Sequence, residues 1–347
     1  MLPTKAYGAV TAESPIAPMQ IERRQPGPND VLIEIQYCGV CHTDIHMARG
    51  HVPGLVFPMV PGHEIVGRIV QVGPAVTHHK VGDLAGVGCM VSSCRKCADC
   101  DRGNEHFCST MVGTYGWYDV DGKTPAFGGY SSRITVNEHF VLKISPKLDL
   151  AAAAPLLCAG ITTYAPLRQW NVGKGSRVGI IGLGGLGHLG VKLARAMGAE
   201  VAVFSTSERK RADALRLGAT EFHVHSDLEA FQKLAGRFDV ILNTVAGNVD
   251  YDNYFNILRR DGALVLLGLP DRPITMSGLG LLMKRTNFTG SMIGGIRETQ
   301  EMLDFCAEHG IVSDIEMIPI SKVNEAYERI LAADVRYRFV IDLATLQ

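Results

Sequence analysis

Apolar and polar positions follow two rhythms along this chain. Up to about residue 150 the apolar residues come in short runs bounded by Gly and Pro, as in "VLIEIQYCGV" (31–40) and "EIVGRIVQVG" (64–73), which predicts strands and a β-rich lobe. Between those runs, "CHTDIHMARG" (41–50) reads as a brief helix. From about Ala151 the pattern becomes strand "RVGIIG", helix "LGHLGVKLARAMG", strand "EVAVFS", helix "ERKRADALRLG", strand "DVILNTV", helix "YDNYFNILRR", then strands "ALVLLG" and "NFTGSM". Such alternation predicts a parallel sheet covered by helices. The last stretch, "ETQEMLDFCAEHG" to "RYRFVIDLATLQ", mixes amphipathic helices with a final strand that returns most simply to the first lobe.

Composition narrows the partners. With 347 residues two domains are expected, and a formal charge of −1 gives no pull toward nucleic acid or a membrane surface. The N-terminal residues show no basic region followed by an apolar stretch, so a cytoplasmic protein is expected. The apolar run "AAAAPLLCAGITTYAPL" is broken by prolines and polar residues, and no membrane span is expected. In a reducing compartment the nine cysteines are metal ligands, reactive thiolates or buried small hydrophobes rather than disulfides.

Glycine marks one site. "GLGGLG", Gly182 to Gly187, follows an apolar strand and opens a helix, with Gly182, Gly184 and Gly187 at G-x-G-x-x-G spacing. In that context the glycines permit a tight turn, and the helix N-terminus receives a dinucleotide pyrophosphate. Where an NAD-binding chain carries an acid after the second strand, this one has Ser205, Thr206 and Ser207, with Arg209, Lys210 and Arg211 beyond. Hydroxyls and cations suit a 2′-phosphate, so NADP(H) is the expected cofactor. Gly185 within the loop and Thr244 at the end of "DVILNTV" are further candidates for its binding.

Cysteine marks another. "CRKCADCDRGNEHFC" places Cys94, Cys97, Cys100 and Cys108 in one loop, enough thiolates to close a tetrahedral shell with no open position; such a zinc is structural. A dispersed set, Cys41 in "CGVCHTD", His63 and Glu64 in "PGHEIVG" and Cys158 in "PLLCAGITTY", contains the residue types of a catalytic zinc, but spacing alone does not link them.

The motifs "CGVCHTDIH", "PMVPGHEIVG", the four-cysteine loop, "GGYSS", "PLLCAGITTY", "GLGGLGHLGVKLA", "GSMIGG" and "RYRFVID" occur in an order that resembles the zinc-dependent medium-chain alcohol dehydrogenases over nearly the whole chain. The likeness is greatest to the cinnamyl alcohol dehydrogenase group and its bacterial NADP-dependent aldehyde reductase relatives. The resemblance implies an α/β protein with a β-rich, GroES-like catalytic domain (residues 1–154 and 294–347) interrupted by a Rossmann nucleotide-binding domain (155–293). It further implies a cleft between them that closes on cofactor, and a homodimer formed through an edge strand.

The same resemblance implies roles for single residues. Cys41, His63 and Cys158 would bind the catalytic zinc, with Glu64 beside it and Asp44 orienting His63. Zinc would polarise an aldehyde carbonyl, the nicotinamide would supply hydride, and Thr43 would begin a proton path ending at His46. His42 would face the pyrophosphate, as would Arg338, whose alternative is a surface cation. Thr162 and Leu186 would lie by the nicotinamide, and Ser291, Met292 and Ile293 would present backbone to its amide. Enzymes of the lignin pathway carry Trp five residues after the last loop cysteine. This chain has Gly113 there, with Tyr115 and Trp117 later, which implies a broad-range reducer of aromatic and medium aliphatic aldehydes. Cys38 and Cys306 read as buried packing and Cys89 as a neighbour of the substrate.

Other classes remain open on the residues alone. A zinc-ribbon binding module would need a basic surface and no nucleotide loop. A nicotinamide-binding descendant without catalysis would not need Cys41, His63, Cys158, Thr43 and His46 together. An NAD-preferring polyol or formaldehyde dehydrogenase would carry the acid that is missing after "VAVF".

Overall fold

The computed structural model describes residues 1–247, 249–270 and 272–346, which fold as two units. One comprises Met1–Cys158 with Gly294–Gln347, the other Ala159–Ile293.

The first unit is built on a seven-stranded sheet in the order Ile315–Pro319, Arg338–Asp342, Asp30–Gly39, Ile65–Val72, Leu84–Val87 and Leu142–Lys143, with Arg133–Asn137 also paired to Asp30–Gly39. Asp30–Gly39 is its centre, and Val31, Ile33 and Ile35 are buried along it. Its neighbour Ile65–Val72 approaches so closely that a Cβ on Gly67 would lie 2.1 Å from the Glu34 carbonyl oxygen. The chain leaves this sheet and comes back to it: Val340, Ile341 and Asp342 pair antiparallel with Gly39, Cys38 and Tyr37.

The second unit is a six-stranded parallel sheet, Glu221–Val224, Glu200–Ser205, Arg177–Ile181, Phe238–Asn243, Leu258–Leu266 and Asn287–Gly290 in spatial order. That order reverses between Arg177–Ile181 and Phe238–Asn243, the switch point at whose carboxyl end dinucleotides bind in such sheets. An apolar cluster around Phe204, Phe231, Phe238, Tyr254 and Phe255 packs against the sheet. The strand Glu221–Val224 and helix Leu228–Lys233 were not foreseen in the sequence, being too short and too polar to show a period. The helix expected over 251–260 ends at Ile257. Leu258 pairs with Phe238 in the sheet, and Asp261 at φ 63 accompanies an irregularity before Val240 pairs with Ala263. Among the described residues no single helix is long and apolar enough to cross a membrane.

Gly187 fixes how the helix Gly185–Ala196 meets the strand before it, because a Cβ there would lie 2.1 Å from the Gly182 carbonyl oxygen. Gly187→Ala is expected to destabilise the protein by about 1–3 kcal/mol, the usual cost of overpacking. The check is the midpoint of denaturant unfolding, read together with NADPH affinity, both of which should fall.

Candidate functional site: two metal clusters and a nucleotide loop

Cys41, His63, Glu64 and Cys158 come together in the first unit, each offering a ligand atom within 4.8 Å of the others. A zinc with thiolate bonds of about 2.3 Å holds its sulfurs roughly 3.8 Å apart. The Cys41 and Cys158 sulfurs lie 3.9 Å apart, so the donor set fits zinc in both chemistry and spacing. The Cys158 hydrogen bond pulls the Cys41 thiol well below its ordinary pKa, and the same bond pushes Cys158 up. One thiolate is therefore favoured before any metal arrives.

Asp44 assembles the cluster. It sits in the helix His42–Ala48, fully buried, and its carboxylate accepts from the Cys41 N–H (2.8 Å), the Gly62 N–H (3.2 Å), the Tyr115 hydroxyl (2.6 Å) and the Tyr130 hydroxyl (3.1 Å). His63 Nδ1 stands 3.1 Å from the same carboxylate. Donation from Nδ1 leaves Nε2 with the lone pair a metal requires. Burial pushes His63 down, but the Asp44 and Cys89 charges and the hydrogen bonds to Asp44 and Cys41 together hold the imidazole well above its ordinary value, so a metal must displace a proton there. Gly62 permits the approach: at φ 104, its position has no room for a Cβ beside Cys38 Sγ and Tyr130.

Glu64 faces the cluster from the next position and is ion-paired to Arg338, both side chains being buried. Arg338 is thus no surface cation. Burial pushes the Glu64 carboxyl up to about 7, with the Arg338 charge working against the rise. One Glu64 oxygen, Oε2, has no hydrogen-bond partner, which suits a carboxylate held next to a metal. Cys89 lies beside Cys158, with its thiol toward the Leu157 carbonyl, while Cys38 and Cys306 are fully buried.

Cys94, Cys97, Cys100 and Cys108 form the second cluster, again with all ligand atoms within 4.8 Å. The Cys94–Cys100 and Cys97–Cys100 sulfur distances, 3.9 and 3.5 Å, match a tetrahedral thiolate shell. The Thr110 hydroxyl, then the Cys94 N–H, pulls Cys108 down to about 6. Glu105 anchors the loop from within, bonding His139 Nε2 and the Ile296 N–H at the start of the helix Ile296–His309.

In the second unit Gly182 takes φ 88, Gly184 is exposed, and the helix Gly185–Ala196 begins there, leaving its first N–H groups available for phosphate. The Thr244 hydroxyl donates to the Ile181 carbonyl at 2.7 Å beneath this loop, and Lys210 Nζ donates to the Leu183 carbonyl at 3.0 Å. Ser205 is buried at the strand end, Thr206 and Arg209 are exposed, and Ser207 Oγ accepts from the Arg209 N–H. Arg211 is turned to Glu208 and the Phe222 ring. Leu186 is half-buried and Thr162 buried. Ser291 and Ile293 are half-buried around an exposed Met292, just past the strand Asn287–Gly290.

His42, Thr43 and His46 occupy the exposed face of the helix whose other face carries Asp44. His42 and His46 stack, with ring centroids 4.9 Å apart. Tyr115, expected as a late aromatic of the substrate region, is buried on Asp44 and stacks on His63; nothing in its spacing announced that role. Trp117 lies against Gly113, where a Cβ would come within 2.7 Å of the indole.

Residues 27–146 match the family model "Alcohol dehydrogenase GroES-like domain" and residues 185–308 the model "Zinc-binding dehydrogenase". The chain is 56% identical over 349 residues to NADP-dependent alcohol dehydrogenase C 1 of Mycolicibacterium smegmatis, covering 100% of both chains. It is 55% identical to aldehyde reductase YahK of Escherichia coli, covering 99% of each. A crystal structure of CAD from Helicobacter pylori complexed with NADP(H) superposes with a TM-score of 0.93 at 39% identity, covering 100% of this chain and 99% of that one.

Asp44→Asn preserves size but removes the charge facing His63. A 10–100-fold loss of metal affinity at the Cys41–His63–Cys158 cluster is expected, measured by competition with a chromogenic chelator. Cys100→Ser should remove one zinc equivalent and lower the unfolding midpoint while leaving the other zinc in place, as zinc analysis and thermal melts on one sample will report.

Proposed function

The chain belongs to the zinc-dependent medium-chain alcohol dehydrogenases, and from that premise we propose that it reduces aromatic and medium aliphatic aldehydes to primary alcohols with NADPH. The observation that carries this reading is the Cys41–His63–Cys158 set, with Cys41 and His63 buried, Cys158 half-buried and His63 oriented through Asp44, in a chain whose second nucleotide-domain strand ends in Ser205 rather than an acid. We assign the catalytic zinc to Cys41, His63 and Cys158 with Glu64 as its neighbour, and the structural zinc to Cys94, Cys97, Cys100 and Cys108. When bound, the catalytic zinc supplies Lewis acidity and NADPH supplies the hydride.

The protein's own groups do the rest. Thr43 donates the proton through its hydroxyl, and His46, exposed on the same helix, exchanges it outward. Arg338 holds Glu64 and balances its charge; its reach to a pyrophosphate belongs to the same proposal. Gly182, Gly184, Gly185 and Gly187 form the phosphate turn over Thr244. Thr206, Ser207, Arg209 and Lys210 select the 2′-phosphate, with Ser205 closing the strand behind them. His42, Thr162, Leu186, Ser291, Met292 and Ile293 complete the cofactor contacts. The Trp117 indole over Gly113 offers a flat apolar wall for aromatic aldehydes, 40% exposed.

A homodimer is supported by the strand Asn287–Gly290 at the sheet edge, near the exposed apolar residues Leu269, Leu279, Leu282 and Met283. A reducing cytoplasm suits six cysteines committed to metal.

Steady-state reduction of benzaldehyde and cinnamaldehyde should proceed with NADPH and be much slower with NADH. Arg209→Gln should raise KM for NADPH by about ten-fold, equivalent to about 1.4 kcal/mol of charge-assisted bonding, and leave NADH unaffected. Equal rates with the two cofactors, or turnover confined to polyols or formaldehyde with NADH, would overturn the reading.

A further inference from the structure

We propose that the four-cysteine loop positions the backbone that receives the nicotinamide, and that Glu105 is the positioning residue through which it acts. The inference rests on the reading that Ser291, Met292 and Ile293 present their backbone to the nicotinamide amide of NADPH.

Ile293 has φ 39, in the left-handed region. A β-branched residue takes that conformation at a cost, and it persists only where the surrounding structure holds it. Ile293 is the last residue of the second unit, and the chain enters the first unit at Gly294. Gly294 and Gly295 are both buried, and the helix Ile296–His309 follows at once. The four-cysteine loop is what holds the chain there. Glu105, between Cys100 and Cys108, is 4% exposed, and its Oε2 accepts the Ile296 N–H at 3.1 Å. Arg297 donates from Nη2 to the Arg102 carbonyl at 2.7 Å. Gly295 fits so tightly that a Cβ on it would lie 1.7 Å from the Gly103 carbonyl oxygen and 2.7 Å from Glu105 Oε2.

The loop is itself stiff. The Gly103 N–H donates to the Cys100 carbonyl at 2.9 Å, the Asn104 N–H to the Asp99 carbonyl at 2.8 Å, and the Cys108 N–H to the Glu105 carbonyl at 3.0 Å. Glu105 Oε1 stands 3.2 Å from His139 Nε2, so both carboxylate oxygens are engaged. A carboxylate on the first N–H of a helix also meets the partial positive charge there, which strengthens the hold. The body of the same helix is secured without Glu105. Gln300 accepts from the Lys143 N–H at 2.8 Å and donates to its carbonyl at 3.1 Å, while Met302, Leu303 and Cys306 are buried. Glu105 therefore governs the first turn and the segment before it rather than the packing of the helix. Without that hold, Ile293 relaxes toward ordinary backbone and the nicotinamide loses its backbone partners. The phosphate turn at Gly182–Gly187 and the residues at Ser205–Lys210 are not disturbed, so only the nicotinamide end of the cofactor is affected.

The test is titration calorimetry on zinc-loaded protein with two ligands: NADPH, and adenosine 2′,5′-bisphosphate, which carries the 2′-phosphate but no nicotinamide. Glu105→Ala is expected to weaken NADPH binding by about ten-fold, the scale of one charge-assisted hydrogen bond, and to leave the bisphosphate unchanged. Glu105→Gln should restore NADPH binding, because its amide oxygen still accepts the Ile296 N–H while its NH2 meets His139. Zinc analysis should return the same metal content for all three proteins. NADPH binding in Glu105→Ala equal to that of the unsubstituted protein overturns the proposal, as does an equal loss for both ligands, which marks a general loosening of the fold. Ile293→Pro separates the two levels, since proline cannot adopt φ 39. If that variant binds NADPH normally, the reading of Ser291–Ile293 and this inference fall together. If it loses NADPH alone while Glu105→Ala loses nothing, this inference falls by itself.

Discussion

The Asp44 carboxylate is the constraint on which the first unit's chemistry depends. A fully buried carboxylate needs its lone pairs occupied, and here the occupants are the groups that must be held still: the backbone at Cys41, the backbone next to His63, and the His63 ring. Tyr115 and Tyr130 complete the set from segments distant in sequence. Desolvation thus draws the Cys41 and Gly62–His63 segments to a common point. The network also fixes the His63 tautomer, which a loosely held imidazole would leave to exchange.

The helix His42–Ala48 divides two duties between its faces. Asp44, Ile45 and Met47 point into the core, whereas His42, Thr43 and His46 are exposed. About two turns are enough to do this because positions three and four apart share a face. A buried anchor therefore fixes the placement of the exposed His42, Thr43 and His46 without being exposed itself.

What the sequence disclosed follows from how local each feature is. The four-cysteine loop and the G-x-G-x-x-G turn are written in contiguous residues, and both were legible from spacing and flanking pattern. Cys41, His63 and Cys158 lie on three segments, and in the sequence only family likeness joins them; the fold brings them within ligand distance. Tyr115 and Tyr130 were not legible as Asp44 partners, because the target of a tyrosine hydroxyl depends on packing rather than on spacing. The helix expected over 251–260 erred at its end for a related reason: helical propensity at Leu258 yielded to pairing with Phe238 across the sheet.

The return of the chain to the first unit also has an electrostatic side. Glu64 is a second buried acid beside the thiols, and an unpaired carboxylate there would be strongly disfavoured. Its counter-charge is Arg338, at the head of the strand Arg338–Asp342, which pairs antiparallel with Asp30–Gly39. The Gly39 N–H in turn donates to the Glu64 carbonyl at 3.0 Å, and a Cβ on Gly39 would collide with the Glu64 side chain. Backbone pairing and charge compensation thus converge on the same three residues. The C-terminal strand does more than close the sheet, because it carries the cation that opposes the rise burial imposes on the Glu64 carboxyl.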